Sequence, residues 1–292
     1  MTRDMFLPIW NSTACVPRPE VISGMLTDSD LALSLPAVIG GSAKPPYNDP
    51  RTFLAATYMT QNMKHILEFL FGRLSGARPD SNPIIVLGVG FGGGKTHTLV
   101  TLFYAAKYGT DSAISPTFSN IPIPHDMRVV TISGDEYGGQ GIMRQNTPIN
   151  TLWGDVFWQL GVYERFRRLD LDRIVPNLDE VRSAIGDAPV LVLLDELPTY
   201  LNLVGSSDKP LIEKTVQFVQ RLVNVVAEKD RAALVIAIAG DAYFRDAEIL
   251  RERIAKAMGS SDEAEMVIAE AKQGMDDARA FIRRKEYVIS PI

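Results

Sequence analysis

The spacing of apolar and polar positions divides the chain into short strand-like runs separated by longer amphipathic stretches. Ile84 to Leu87, Arg128 to Ser133 and Ala232 to Ala239 have strand length and turn signals at their ends. Val190 to Leu194 is apolar without a break, the pattern of a strand buried on both faces of a parallel sheet. Helical spacing predicts a helix over Gln61 to Leu74, with Met63, Ile66, Leu67, Leu70 and Leu74 on one face and Thr60 as its cap. Thr98 to Lys107 has the apolar density of a helix lying on a sheet, and further helices are predicted over Thr151 to Arg168, Leu211 to Glu228 and the charged stretch Ser261 to Arg284. In Thr151 to Arg168, Trp153, Phe157, Leu160 and Val162 read as core, while Arg165, Arg167 and Arg168 read as a solvated face. Tyr287 to Ile292 closes the pattern as a last strand. Alternating strands and helices predict an α/β fold with three αβα layers around a central parallel sheet. Up to Tyr58 the chain is turn-rich, with Pro17, Pro19, Gly40-Gly41, Pro45-Pro46 and Pro50 interrupting short amphipathic pieces. Residues 1–60 are therefore expected to be an irregular extension and 61–292 the domain.

The loop after the first strand carries the most specific chemistry. Gly90-Phe-Gly-Gly-Gly-Lys-Thr-His97 joins a strand to a helix, the context of a phosphate-binding loop. Gly90, Gly92, Gly93 and Gly94 let backbone N–H groups, that of Phe91 included, turn toward phosphate oxygens. Lys95 reaches the β/γ oxygens, Thr96 offers a hydroxyl to Mg²⁺, and the helix dipole points its positive end at the anion. His97 adjoins the loop and joins the candidate nucleotide contacts. The loop departs from Gly-x4-Gly-Lys-[Ser/Thr] at one place: Val89 stands where the first glycine is usual. Either Val89 keeps an extended backbone or Gly88 and Gly90 carry the turn.

The buried run ends in Asp195-Glu196. In a chain with a phosphate loop, Asp195 is the candidate for the Mg²⁺ shell and Glu196 for the group that orients the attacking water. Gly240-Asp241 follow the next strand at the end where parallel sheets present ligand-facing groups; Asp241 is a sensor of the γ-phosphate or its water, or else a helix cap. Arg283 and Arg284 end the charged helix. They serve either the helix dipole or, as an arginine finger, a neighbouring subunit's site.

Composition narrows the function classes. The 292 residues suffice for a full core, and the net charge of −5 argues against a globally basic nucleic-acid binder. Cys15 is the single cysteine, so an internal disulfide and a multi-cysteine zinc site are excluded. His65, His97 and His125 lack metal-ligand spacing. With neither a signal-like start nor an apolar run of membrane-spanning length, a soluble, cytoplasmic protein is expected.

The order of these motifs resembles the core of the AAA+ ATPases. Arg18-Pro-Glu-Val-Ile-Ser-Gly24, Thr27-Asp-Ser-Asp-Leu-Ala-Leu33, Asp49-Pro-Arg-Thr-Phe53 and Phe91-Gly-Gly-Gly-Lys-Thr-His97 are, more narrowly, similar to the domain-of-unknown-function 499 family. The resemblance covers nearly the whole chain from Pro17. It implies a P-loop ATPase that uses ATP and Mg²⁺, with Lys95, Thr96, Asp195 and Glu196 in the usual roles. It also implies a homo-oligomer working with other subunits, as in anti-phage defence systems that pair such ATPases with methyltransferases and helicases. Family members are longer, so the chain is expected to be an N-terminal portion without the helical lid. The leading expectation is hydrolysis of ATP to drive or regulate a multi-protein complex. The competing one is a nucleotide-gated binding module with slow or no turnover. A nucleic-acid translocase would need basic or aromatic elements of specific spacing, and a small-molecule kinase a substrate motif; the sequence offers neither.

Overall fold

In the computed structural model, residues 23–24, 33–87, 94–111, 114 and 118–237 are described. Three segments precede the first strand: α1 (Leu35–Ile39), α2 (Pro50–Ala56) and α3 (Gln61–Ser75). Then come β1 (Ile84–Leu87), α4 (Lys95–Tyr108), β2 (Arg128–Ser133), a 3-10 turn (Gly134–Glu136) and the hairpin β3 (Ile142–Arg144) with β4 (Thr147–Ile149). The rest is α5 (Leu152–Gln159), α6 (Tyr163–Leu171), α7 (Leu178–Ile185), β5 (Val190–Asp195), α8 (Leu197–Ser207), α9 (Lys209–Glu228) and β6 (Ala232–Ala237).

Four strands form one wholly parallel sheet in the order β1-β6-β5-β2. After β1 the chain crosses to the far side of the sheet as β2, then returns through β5 to β6, which lies beside β1. Strand periodicity sends alternate residues to opposite faces. Val190, Val192 and Leu194 of β5 join one core with Trp153, Phe157, Val181, Tyr200 and Phe218. Leu191 and Leu193 join a second core with Leu67, Phe71, Leu99, Leu102 and Phe53. Helices α5 to α9 thus cover one face and α1 to α4 the other, the expected αβα layering. All six residues of β5 are buried, as its unbroken apolar run requires.

Local chemistry explains the helix ends. The Thr60 side chain accepts a hydrogen bond from the Met63 N–H at the start of α3, and Gly76 ends it in the left-handed conformation, φ 80°. Asp49 caps α2 in the same way through the Thr52 N–H, at 2.7 Å. The stretch expected to be turn-rich therefore contains two short helices, α1 and α2, whose Leu35, Val38, Phe53 and Leu54 are buried in the core of α3 and α4. The single helix expected over Thr151 to Arg168 is instead two, α5 and α6. Gly161, at φ 74°, ends α5: its N–H donates to the Trp158 carbonyl and the Val162 N–H to that of Phe157. This Schellman arrangement stops the helix while leaving Trp153 and Phe157 in the core, as expected. Residues Ser261 to Arg284 and Tyr287 to Ile292, expected as helix and strand, lie outside the described residues.

Two side chains tie down the sheet. Arg73 of α3 is buried and donates from Nε to the Ala232 carbonyl (3.0 Å), from Nη1 to Pro79 and Ser81 (2.5 and 2.8 Å) and from Nη2 to Lys229 (2.7 Å). It joins the chain entering β1 to the chain entering β6. At the outermost described strand, β2, the Gln159 amide accepts from the Thr131 N–H and donates to the Thr131 carbonyl, both at 2.8 Å.

Candidate functional site

Parallel strands end on one side of a sheet, and ligand sites in open α/β folds form there. β1 ends at Leu87, seven positions before Gly94, which at φ 78° is the N-cap of α4 and gives it no side-chain cap. Lys95 and Thr96 are therefore the first residues of a helix whose leading N–H groups point toward the strand ends. Of the sequence candidates, Gly90, Phe91, Gly92, Gly93, Asp241, Arg283 and Arg284 lie outside the described residues, as does Val89.

The structure brings Thr96 and Asp195 together. The Thr96 hydroxyl donates to Asp195 Oδ2 at 3.4 Å, across 99 positions of sequence. Asp195 is the last residue of β5, paired in register with Ser133 of β2, and only 5% exposed. Its other oxygen accepts the Glu196 N–H at 3.1 Å. Burial pushes the Asp195 carboxyl up to about 6, and the neighbouring Glu196 charge adds to the rise; the Glu196 N–H and the Thr96 hydroxyl pull the other way. A hydroxyl beside a carboxylate is a hard-oxygen donor set that suits Mg²⁺, which takes few protein ligands and completes its shell with phosphate and water. Among the described residues no group of three His, Cys, Asp or Glu is arranged to hold a metal.

Glu196 has a left-handed backbone, φ 51° and ψ 34°. It is the N-cap of α8, yet its carboxylate makes no cap hydrogen bond; Oε2 accepts instead from the Thr199 hydroxyl at 2.8 Å. Room for this turn comes from Gly134, at the end of β2: a Cβ there would lie 1.9 Å from the Glu196 carbonyl oxygen and 2.8 Å from the Tyr200 nitrogen.

His97 faces the N-terminal helices. Its Nε2 lies 3.0 Å from Thr57 Oγ1, and its ring centroid is 4.6 Å from that of Phe53. Thr57 already donates to the Phe53 carbonyl, so the hydroxyl oxygen is left to accept and His97 carries its proton on Nε2. Burial holds the imidazole below its ordinary value.

Sequence reasoning missed four residues around these groups: Ser133, Gly134, Asp135 and Thr199. The Ser133 hydroxyl donates to Asp135 Oδ1, and the Asp135 charge acts on Asp195. The readable signal was a polar Ser-Gly-Asp-Glu run closing a strand. Behind the turn, Tyr137 meets Tyr200 of α8 edge-on at 4.8 Å and donates to buried Asp155, which Arg144 of the hairpin engages through Nε and Nη2 at 2.8 and 2.7 Å. Arg144 also reaches Glu136 at 3.4 Å. The hairpin is thereby fastened to the same end of β2.

The family model of the DUF499 N-terminal domain matches residues 18–120 and 125–256, most of the chain and all of the site just described. The chain belongs to the DUF499 family. Neither the curated proteins nor the solved structures contain a match to it. Within this DUF499 chain the matched residues span α1 to β6, so the hydroxyl–carboxylate pair and the Glu196 turn are parts of the family domain. No helix among its described residues is long and apolar enough to cross a membrane.

Proposed function

We propose that this DUF499 domain is a P-loop ATPase of the AAA+ type that binds Mg·ATP at the C-terminal ends of β1 and β5 and hydrolyses the γ-phosphate. The observation that carries this reading is the meeting of Thr96, at the start of the helix after the glycine loop, with Asp195, at the end of the buried strand. The sheet order supports it. Ala237 of β6 pairs with Leu87 of β1, and Ile236 with Leu194 of β5, so the chain leaves β6 between the two motifs, a fitting origin for Asp241 as a sensor.

In this scheme Lys95 donates to the β/γ oxygens, and Thr96 and Asp195 hold Mg²⁺ directly or through water. The ion, when bound, would neutralise charge on the phosphate oxygens as the bond between the γ-phosphorus and the β–γ bridging oxygen breaks and ADP departs. Glu196 accepts a hydrogen bond from the attacking water and so fixes its line of approach. Arg283 or Arg284 acts in trans in an oligomer, and the energy released serves partner subunits of a larger assembly.

The test is Mg²⁺-dependent ATP binding and hydrolysis in the parent, Lys95→Ala and Glu196→Gln. Loss of binding in Lys95→Ala, and retained binding with turnover reduced at least about 100-fold in Glu196→Gln, is the expected result. A parent chain that fails to bind Mg·ATP would overturn it.

A further inference from the structure

Strained backbone at a chemical group is informative because a fold keeps it only where the surroundings enforce it. Glu196 is one of three non-glycine residues with positive φ among the described residues, and the one that carries candidate chemistry. Three features of the fold enforce it. Gly134 leaves the space that its carbonyl fills. The Glu196 N–H donates to Asp195 Oδ1, fixing the peptide before the turn. The Thr199 hydroxyl, one turn into α8, holds the carboxylate at 2.8 Å.

The last contact is not the one a helix start would select for stability. An N-cap side chain ordinarily accepts a backbone N–H from the first turn, and this satisfies an otherwise unpaired donor. Glu196 makes no such bond, and Pro198 removes one of the backbone donors it could have taken. Its carboxylate spends Oε2 on a neutral side-chain hydroxyl, which leaves Oε1 and a fixed rotamer for another partner.

We infer that Thr199 is a positioning residue that sets the direction of the Glu196 carboxylate for hydrolysis. This rests on the ATPase reading above. Thr199 acts through Glu196, so its removal lowers the rate of the chemical step and leaves nucleotide affinity alone. A hydroxyl to an ionised carboxylate is a charge-assisted bond, and its loss corresponds to about a 10-fold to 100-fold fall in kcat.

The full chain is tested as parent, Thr199→Val, Thr199→Ser and Glu196→Gln, with and without Thr199→Val in the last. Binding is measured by titration with Mg·ATP, turnover under single-turnover and steady-state conditions, and folding by thermal unfolding. Thr199→Val is expected to lose about 10-fold or more in kcat, with Kd and KM within about twofold and an unfolding temperature close to the parent's. Thr199→Ser is expected to restore most of the rate. In the Glu196→Gln background the Val substitution should cost much less, because the two groups act as one. Parent-like turnover in Thr199→Val, or equal losses in both backgrounds, would overturn the positioning role while leaving the ATPase reading in place. Absence of Mg·ATP binding in the parent would overturn both.

Discussion

Replacing Asp195 by Asn removes a carboxylate that the fold holds at a cost. Its carboxyl is raised from the ordinary 3.8 to about 6, chiefly by burial. At about 1.4 kcal/mol per pKa unit, that rise corresponds to about 3 kcal/mol of stability lost by the nucleotide-free protein once both folded and unfolded chains are ionised. The sign follows from proton counts. Between about pH 4 and pH 6 the unfolded carboxyl has released its proton while the folded one keeps it, so stability falls as pH rises through that window and stays lowered above it. Asn does not titrate, and its carbonyl oxygen still accepts the Glu196 N–H. With a discount for a weakened contact to Thr96, Asp195→Asn is expected to stabilise the nucleotide-free chain by about 1–3 kcal/mol at pH 8. For domains of about 150–250 residues each kcal/mol shifts Tm by about 2–4 °C. Thermal unfolding in EDTA at pH 8 and pH 4.5 measures it, and the gain at pH 4.5 should shrink to about a third. The same variant should lose the stabilisation that Mg·ATP confers on the parent. A variant less stable than the parent at pH 8, or a gain that does not shrink toward pH 4.5, would refute the reasoning.

Two further substitutions separate scaffold from site. Gly134→Ala places a Cβ 1.9 Å from the Glu196 carbonyl oxygen, so it should cost about 1–3 kcal/mol in denaturant unfolding and abolish turnover while the chain still binds Mg·ATP; unchanged turnover would show that the Glu196 turn is free to move. Arg73→Met keeps the aliphatic bulk but strands the carbonyls of Ala232, Ser81 and Lys229, so unfolding should show a loss of about 3 kcal/mol or more with Mg·ATP affinity unaltered; a loss under about 1 kcal/mol would mean that water replaces the guanidinium.

The parts of this fold that announce themselves in sequence are those whose chemistry is local. β5 is legible because a strand covered on both faces is apolar throughout Val190 to Leu194, and α3 because its helical spacing follows the Thr60 cap. Lys95-Thr96 and Asp195-Glu196 are legible because phosphate and metal chemistry demand those residue types. What stayed hidden depends on long-range partners. The strands β3 and β4 are three residues each, too short for a periodic signal, and Arg144 reaches across to Asp155 in α5 and Glu136 in the turn before the hairpin. The break at Gly161 was masked by apolar residues that keep helical spacing through both α5 and α6. Thr199 is an ordinary helix residue until the left-handed turn at Glu196 brings its hydroxyl to the carboxylate. Asp135 and Gly134 belong to a turn of common composition, and only the close approach of the α8 backbone shows why a glycine stands there.

The amide of Gln159 occupies the outer side of β2, the outermost described strand of the sheet. In a parallel ladder alternate residues of a strand address opposite neighbours, and Arg128 already donates toward β5 through the Pro189 carbonyl. Val129, Thr131 and Ser133 therefore face outward from β2, and the middle one is engaged on both its donor and its acceptor. An exposed strand is ordinarily a template on which a foreign strand can zip, and zipping needs consecutive free positions. A single side chain that mimics one residue of a neighbouring strand interrupts that sequence at its centre. Among the described residues, β-addition on the β2 side is thus interrupted at its centre by one hydrogen bond to, and one from, an amide that Asp155 also anchors.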